Sequence, residues 1–352
     1  MLLISFLVLG LAVVVYRSVK SYVTENWLED DGEIKQVFYS QGEGEHNKYK
    51  QEAWDTVGRN LWRDPELYLS IVVPAFNEED RILKTLDSMV YYMEQRSRQN
   101  PAFRYEIILV DDGGSDDTLR VCEGFWRGKM AKNEVPGGQL RLISSIENRG
   151  KGNAVRLGVM ASLGEYILMA DADGATKIEC LSRMEEAILS RGEQLQIVFG
   201  SRSTKDSLYD SDTGSADSKI ERAWYRQILN TLFHKITKVI INSNLNDTQC
   251  GFKLFSRRSA RTIFPSLHIK RWAFDIEIVV IAQIANLEIQ PVNVDWREVE
   301  GSKLSVLSDS AKMLLDIVIL KSFYVLGVWS VKEHHRPERA SRGTTETCRK
   351  TS

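Results

Sequence analysis

Two aspartates, Asp171 and Asp173, stand one residue apart where the apolar run of "GEYILMADADGAT" stops. Carboxylates at i and i+2 beyond a strand end can approach one hard cation. Mg2+ or Mn2+, completed by water or phosphate oxygens, suits that spacing. The same residues could serve only as a helix cap and a turn, so the pair needs company. "DDGGSDDT" opens with Asp111 and Asp112, whose carboxylates could accept from a nucleobase or a ribose hydroxyl. It could equally be an ordinary turn in which Asp117 or Thr118 caps the next helix. "NRGKGNAVRLG" sets Gly150 and Gly152 around Lys151 at a helix opening, with Arg149 alongside. Backbone amides, a helix N-terminus and two cations suit a phosphate. A dinucleotide fingerprint is not met there, because Val155 replaces the third glycine and the motif does not follow the first strand. No GxxxxGK[ST] occurs either, which disfavours a P-loop nucleotidase.

These groups lie far apart in the chain, so a scaffold must bring their loops to one edge. "LYLSIVVPAF" reads as a strand ended by Pro74, and "NEEDRILKTLDSMVYYMEQ" as a helix with Asn77 as its N-cap. "YEIILV", "LRLISSI", "EYILMA" and "QIVFG" read as further strands, alternating with helical stretches. That rhythm predicts an α/β fold: a mostly parallel, Rossmann-like sheet with helices on both faces. Ligands of open α/β sheets bind beyond the carboxyl ends of the strands. Residues 74–79, Asp111 and Asp112, Arg149 and Lys151, Asp171 and Asp173, and Arg202 all fall there.

Residues 1–23 are expected to form a transmembrane signal anchor. "MLLISFLVLGLAVVVY" carries no charge, and Arg17 and Lys20 follow it, which predicts a cytoplasmic main domain. Those sixteen residues would make a helix of about 24 Å, and continuing to Val23 approaches the ~30 Å hydrocarbon core. Residues 24–66 read as a polar stalk, 67–305 as the α/β domain, 306–332 as amphipathic helices and 333–352 as a basic tail. "STKDSLYDSDTGSADSK" is a lid or a surface loop. "IERAWYRQILNTLFHKITKVII" and "AKMLLDIVILKSFYVLGVW" suit either core packing or a membrane interface. A net charge of -2 argues against general nucleic-acid affinity. The four cysteines form no CxxC pair, so they read as reduced thiols, and the five scattered histidines as structural.

Taken together, "SIVVPAFNEE", "ILVDDGGSDDT", "NRGKGNAVRLG", "LMADADGAT", "GSR", "DTQCGFKLF", "RWAFDIEI" and "EVEGSKL" resemble family 2 glycosyltransferases of the GT-A fold. The resemblance runs from about Leu67 to Trp329. "DTQCGFKLF" and "RWAFDIEI" are similar to the polyprenyl-phosphate branch, and Trp272 to its glucosyl rather than mannosyl members. The resemblance implies inverting transfer of glucose from UDP-glucose to dolichyl phosphate for N-glycosylation, at the endoplasmic reticulum membrane. It implies that Pro74, Ala75, Asn77 and Glu78, with Asp111 or Asp112, hold the uridine, and that Asp171 and Asp173 place Mg2+ or Mn2+ on the diphosphate. Arg202, Arg226 and Lys303 would face phosphates of donor or acceptor, and Asp247, Gln249 and Asp275 would line the sugar pocket. Asp173, Arg202, Arg226 and Asp247 are then the expected catalytic residues, and since an acceptor phosphate is already anionic, positioning by the arginines is expected in preference to general-base work by Asp247. Mannosyl relatives often carry glutamine at the place of Ala175, which implies a metal weakly held without nucleotide. The lipid bilayer is an expected partner, and a homo-oligomer is compatible with this reading. A GDP-mannose enzyme acting on the same lipid, or a non-catalytic tethered binding protein of this fold, are the alternatives.

Overall fold

The computed structural model describes residues 34–41, 50–51, 54–190, 195–202, 245, 247–299 and 306–331. The strands are β1 (Ile34–Gln41), β2 (Lys50–Gln51), β3 (Leu67–Ala75), β4 (Tyr105–Asp111), β5 (Gly138–Ser145), β6 (Gly164–Met169), β7 (Leu195–Arg202), β8 (Lys253–Ser256) and β9 (Glu288–Val294). The helices are α1 (Trp54–Val57), α2 (Ile82–Gln99), α3 (Thr118–Ala131), α4 (Lys151–Met160), α5 (Leu181–Ser190), α6 (Arg257–Ile263), α7 (Phe274–Ile284) and α8 (Val306–Val325). Among the described residues one sheet forms, in the order β2-β1-β5-β4-β3-β6-β8-β7-β9. Only β1 and β8 run against the other strands, so the sheet is mostly parallel as expected of a GT-A fold.

Burial on both faces explains why β3 reads as a nearly continuous apolar run. Its side chains still divide by a period of two. Leu69, Ile71 and Val73 enter a core closed by α2, α3 and α5, with Leu86, Trp126 and Met184. Val72 enters the opposite core, closed by α4, α6, α7 and α8, with Leu157, Ile263, Ile278 and Ile317.

The functional edge follows from how the ladders end. β3 stays paired with β4 as far as Ala75 and Asp111, but its ladder with β6 stops at Val72 and Met169. The chain builds β4 and β5 on one side of β3, then crosses to place β6 on the other. A crevice opens at such a reversal, beyond the carboxyl ends. Pro74 lies past the parting, where β3 has one partner left, so its missing N–H breaks no second ladder. The strand expected to end at Pro74 therefore runs through it.

Two boundaries differ from expectation. Within 24–66, expected to be a stalk, β1 pairs antiparallel with β5 from Ile34–Ser145 to Gln41–Gln139. Val57 and Leu61 are buried, Asn60 Nδ2 donates to Ala161 O at 3.1 Å, and the Arg257 guanidinium donates to the carbonyls of Asn60, Arg63, Ser162 and Gly164. An edge strand of mixed polarity looks like a linker in sequence, and its partner is a hundred residues away. The C-terminal stretch is one helix, α8, with Met313, Ile317 and Leu320 buried while Leu315 and Val318 face out. No helix among the described residues is long and apolar enough to cross a membrane. The expected anchor, the loop after Arg202, the helix beginning at Ile220 with Arg226, and Lys303 lie outside the described residues.

Candidate active site

On the β4 side of the crevice, side chains are satisfied by backbone amides. Asn77 sits at φ 54, a left-handed conformation that asparagine tolerates. Its Oδ1 accepts from Ser115 N at 2.8 Å and Asp116 N at 3.3 Å, so it fastens the acidic loop instead of capping α2, which starts at Ile82. Asp116 in turn accepts from Glu79 N at 3.0 Å and Thr118 N at 3.1 Å, taking the capping part expected of Asp117 or Thr118. Asp117 pairs with Arg120. Asp111 accepts from Gly114 N at 3.2 Å, and Asp112 from Arg149 N at 3.0 Å and Gly150 N at 2.6 Å. Asp112 N donates to Ala75 O, which ties the two loops together. Burial raises the Asp112 carboxyl above its usual range, against those amide bonds. Glu78 is buried and pairs with Arg81, whose charge also reaches Asp173 and Asp171.

On the β6 side the partners are ions. Lys151, first residue of α4, holds Asp171 Oδ1 at 2.5 Å, with its Nζ 5.8 Å from the Trp272 ring. Arg202, last residue of β7, forms a two-armed pair with Asp247 at 2.7 and 2.8 Å, and its backbone N–H adds a third bond at 3.1 Å. Trp296 lies over the Arg202 guanidinium at 5.5 Å. Lys253, wholly buried in β8, reaches Asp275 at 2.7 Å and also bonds Cys250 O. The Asp171–Lys177 loop is gripped by the segment after β9: Arg297 N donates to Ala175 O at 2.8 Å and Lys177 N to Asp295 O at 3.1 Å. Gly251 faces Asp171 so closely that a Cβ there would run into the carboxylate.

These arrangements separate the two aspartates electrostatically. Burial works against the Asp171 carboxylate, but Lys151 with Lys253 and Arg202 outweighs it and holds the group below its usual range. Burial, with repulsion from Asp171, raises the Asp173 carboxyl, although Ala175 N donates to its Oδ1 at 2.9 Å. Asp247 is held low by Arg202 despite burial, and Asp275 is raised by burial in spite of Lys253. Burial opposes the charge on Lys151, yet Asp171 and Asp275 leave it above its ordinary value.

The model of the family described as Glycosyl transferase family 2 matches residues 70–264. The chain belongs to this family. It is 40% identical over 308 residues to the dolichyl-phosphate beta-glucosyltransferase of Dictyostelium discoideum, covering 87% of each chain. It is 38% identical over 277 residues to the enzyme of that name from Homo sapiens, covering 78% of this chain and 81% of that one. Among solved structures it is similar to glucosyl-3-phosphoglycerate synthase from Mycobacterium tuberculosis in complex with uridine diphosphate. There the identity is 17% and the TM-score 0.47, over 80% of this chain and 86% of that chain.

In this family 2 glycosyltransferase the structure gathers Pro74, Ala75, Asn77, Glu78, Asp111, Asp112, Lys151, Asp171, Asp173 and Arg202 along one rim, with Asp247 and Gln249 beside Arg202. Asp275 does not line an open pocket: it is buried behind the rim and committed to Lys253. Asp247 is poorly suited as a base, since both its oxygens are engaged by Arg202 and its carboxyl is hard to protonate. Sequence reasoning missed Lys253 and Trp296. A lysine inside the apolar run "GFKLF" was a legible signal for the first. Trp296 carried none.

Proposed function

We propose that the chain transfers glucose from UDP-glucose to dolichyl phosphate with inversion, on the cytoplasmic side of the endoplasmic reticulum membrane, with residues 1–23 as its single-pass anchor. The observation that carries the reading is the pairing of a Lys151-held Asp171 with Asp173 at the mouth of the crevice, beside the Asn77–Asp112 loops. The names of the relatives supply the sugar and the lipid acceptor. In the reaction an acceptor phosphate oxygen bonds to the anomeric carbon as the bond from that carbon to the UDP oxygen breaks. The electron pair leaves on UDP. The acceptor is already an anion at neutral pH, so no strong base is required, in keeping with an Asp247 locked to Arg202. Arg202 and Lys151 are fixed cations whose task is to balance charge on the two phosphates.

The residues fit Mg2+ or Mn2+. Asp171 is held ionised, and Asp173 Oδ2 takes no hydrogen bond from the described residues. No group of three or more His, Cys, Asp or Glu side chains among the described residues could hold a metal ion. The diphosphate oxygens would therefore have to complete the shell, as is usual for Mg2+. Bound there, the cation would stabilise the departing UDP. The test is transfer of radiolabelled glucose from UDP-glucose to dolichyl phosphate, with Mg2+ and then with EDTA. Metal-dependent label in the lipid phase is expected. Label only from GDP-mannose, or UDP binding without any transfer, would overturn the reading.

A further inference from the structure

The C-terminal turn of α8 has an inner and an outer face. On the inner face Trp329 stacks on His268 with centroids 3.7 Å apart and planes at 6°, and Tyr324 Oη donates to Glu277 Oε1 at 3.3 Å. On the outer face Val325, Leu326 and Val328 are 72%, 74% and 59% exposed, and they extend the exposed stripe begun by Leu315 and Val318. Five large apolar side chains on one side of a helix and its turn form a patch that water disfavours. Where the described residues end, the sequence from Lys332 to Ser352 holds six lysines and arginines against three glutamates. An apolar stripe running into a cationic stretch matches an anionic bilayer surface, with acyl chains for the one and headgroups for the other.

The inner face leads to the active site. Glu277 accepts from His268 N at 2.9 Å and Ile269 N at 2.8 Å, and Lys270 O accepts from Asn153 N at 2.9 Å. Gly150 and Gly152 pack against Ile269, Lys270 and Arg271 with no room for a Cβ, and Trp272 lies beneath Lys151. Residues 268–272 thus form one strap from the outer turn to the phosphate-facing loop.

We propose that the Val325–Val328 turn and the α8 stripe dock this domain on an anionic phospholipid surface, and that the Trp329–His268 stack transmits that seat to the Lys151 wall. The link to transfer rests on the lipid-phosphate acceptor proposed above; the docking does not.

The test uses the full chain in vesicles with Cys348→Ser, Cys122, Cys180 and Cys250 being buried. A nitrobenzoxadiazole probe is placed at Leu326→Cys, or at Tyr91→Cys on the opposite face as control. Quenching by doxyl-labelled lipid at position 326 but not 91, stronger with phosphatidylserine than phosphatidylcholine alone, is expected. Equal quenching at the two positions overturns docking. So does a signal that follows protein-to-lipid ratio instead of doxyl lipid, which would seat a second copy on the stripe. Val325→Glu/Leu326→Glu should lower transfer to membrane-resident dolichyl phosphate about tenfold, the partition of roughly one buried leucine, with UDP-glucose binding unchanged. Trp329→Ala should slow transfer without altering quenching, and Trp329→Phe should restore it. Unaltered transfer in Trp329→Ala would overturn the strap. Quenching at 326 in a chain that transfers nothing would support docking while removing the acceptor reading.

Discussion

On the β4 side of the crevice Asn77, Asp111, Asp112 and Asp116 end on backbone amides, whereas on the β6 side Asp171, Asp247 and Asp275 end on Lys151, Arg202 and Lys253. The first arrangement fixes the shape of two loops. The second is a charge ledger of four carboxylates, counting Asp173, and three cations. Only Lys253–Asp275 is fully buried, and a buried ion pair often contributes less stability than apolar side chains of equal volume; the Lys151–Asp171 and Arg202–Asp247 pairs stay partly exposed at the rim. The diphosphate and divalent cation proposed above would have to be met by this set of charges.

Breaking the innermost pair should give the largest effect. Lys253→Met strands Asp275 in the core and should cost about 3–5 kcal/mol in urea unfolding, and Lys253→Met/Asp275→Leu should recover most of it. Asp171→Asn should lower transfer about 10²–10³-fold while circular dichroism and melting show a retained fold. Near-normal turnover would remove Asp171 from the reaction. Arg202→Lys keeps charge but loses the two-armed geometry, and a fall in kcat of about tenfold is expected. Asp247→Asn combined with it should add little if the two act as a unit. On the other side, Asn77→Ala deprives two loop amides of their acceptor, worth about 1 kcal/mol. It should raise the KM for UDP-glucose about fivefold and spare kcat. A matching loss of kcat would erase the proposed difference between the two sides.

The smallest effect is a pH dependence. Arg202 holds the Asp247 carboxyl below its usual range in the folded chain. The stability it contributes is therefore fully present above the unfolded aspartate value of about 3.9 and is lost as pH falls through the lower folded value. Unfolding midpoints measured below about pH 4 should fall less steeply in Asp247→Asn than in the parent chain. Equal slopes would mean that the pair is not formed in solution.

The same contrast explains what the sequence could reveal. The parallel core was legible because buried strands such as β3, β4 and β6 read as apolar runs, and their carboxyl ends located the rim. The β4 side was legible because each of its loops is a contiguous motif. The β6 side was legible only in its halves. Arg202 and Asp247 lie 45 positions apart and Lys253 and Asp275 lie 22 apart, so the pairings arise from strand order. Strand β8 escaped notice because four residues give too little period to read, and Asp275, which the resemblance implied in the sugar pocket, has its partner inside that strand. β1 escaped because its pairing partner is a hundred residues downstream.

That edge strand also sets a mechanical limit. Ten residues, 24–33, separate the opening apolar segment from the first residue stitched into the sheet. Fully extended they span about 35 Å. A bilayer-embedded segment ending at Val23 would hold the catalytic rim on a leash scarcely longer than the membrane is thick. The enzyme would then meet its lipid at a local concentration set by tether length, in the millimolar range for short linkers, and not by diffusion through the cytosol.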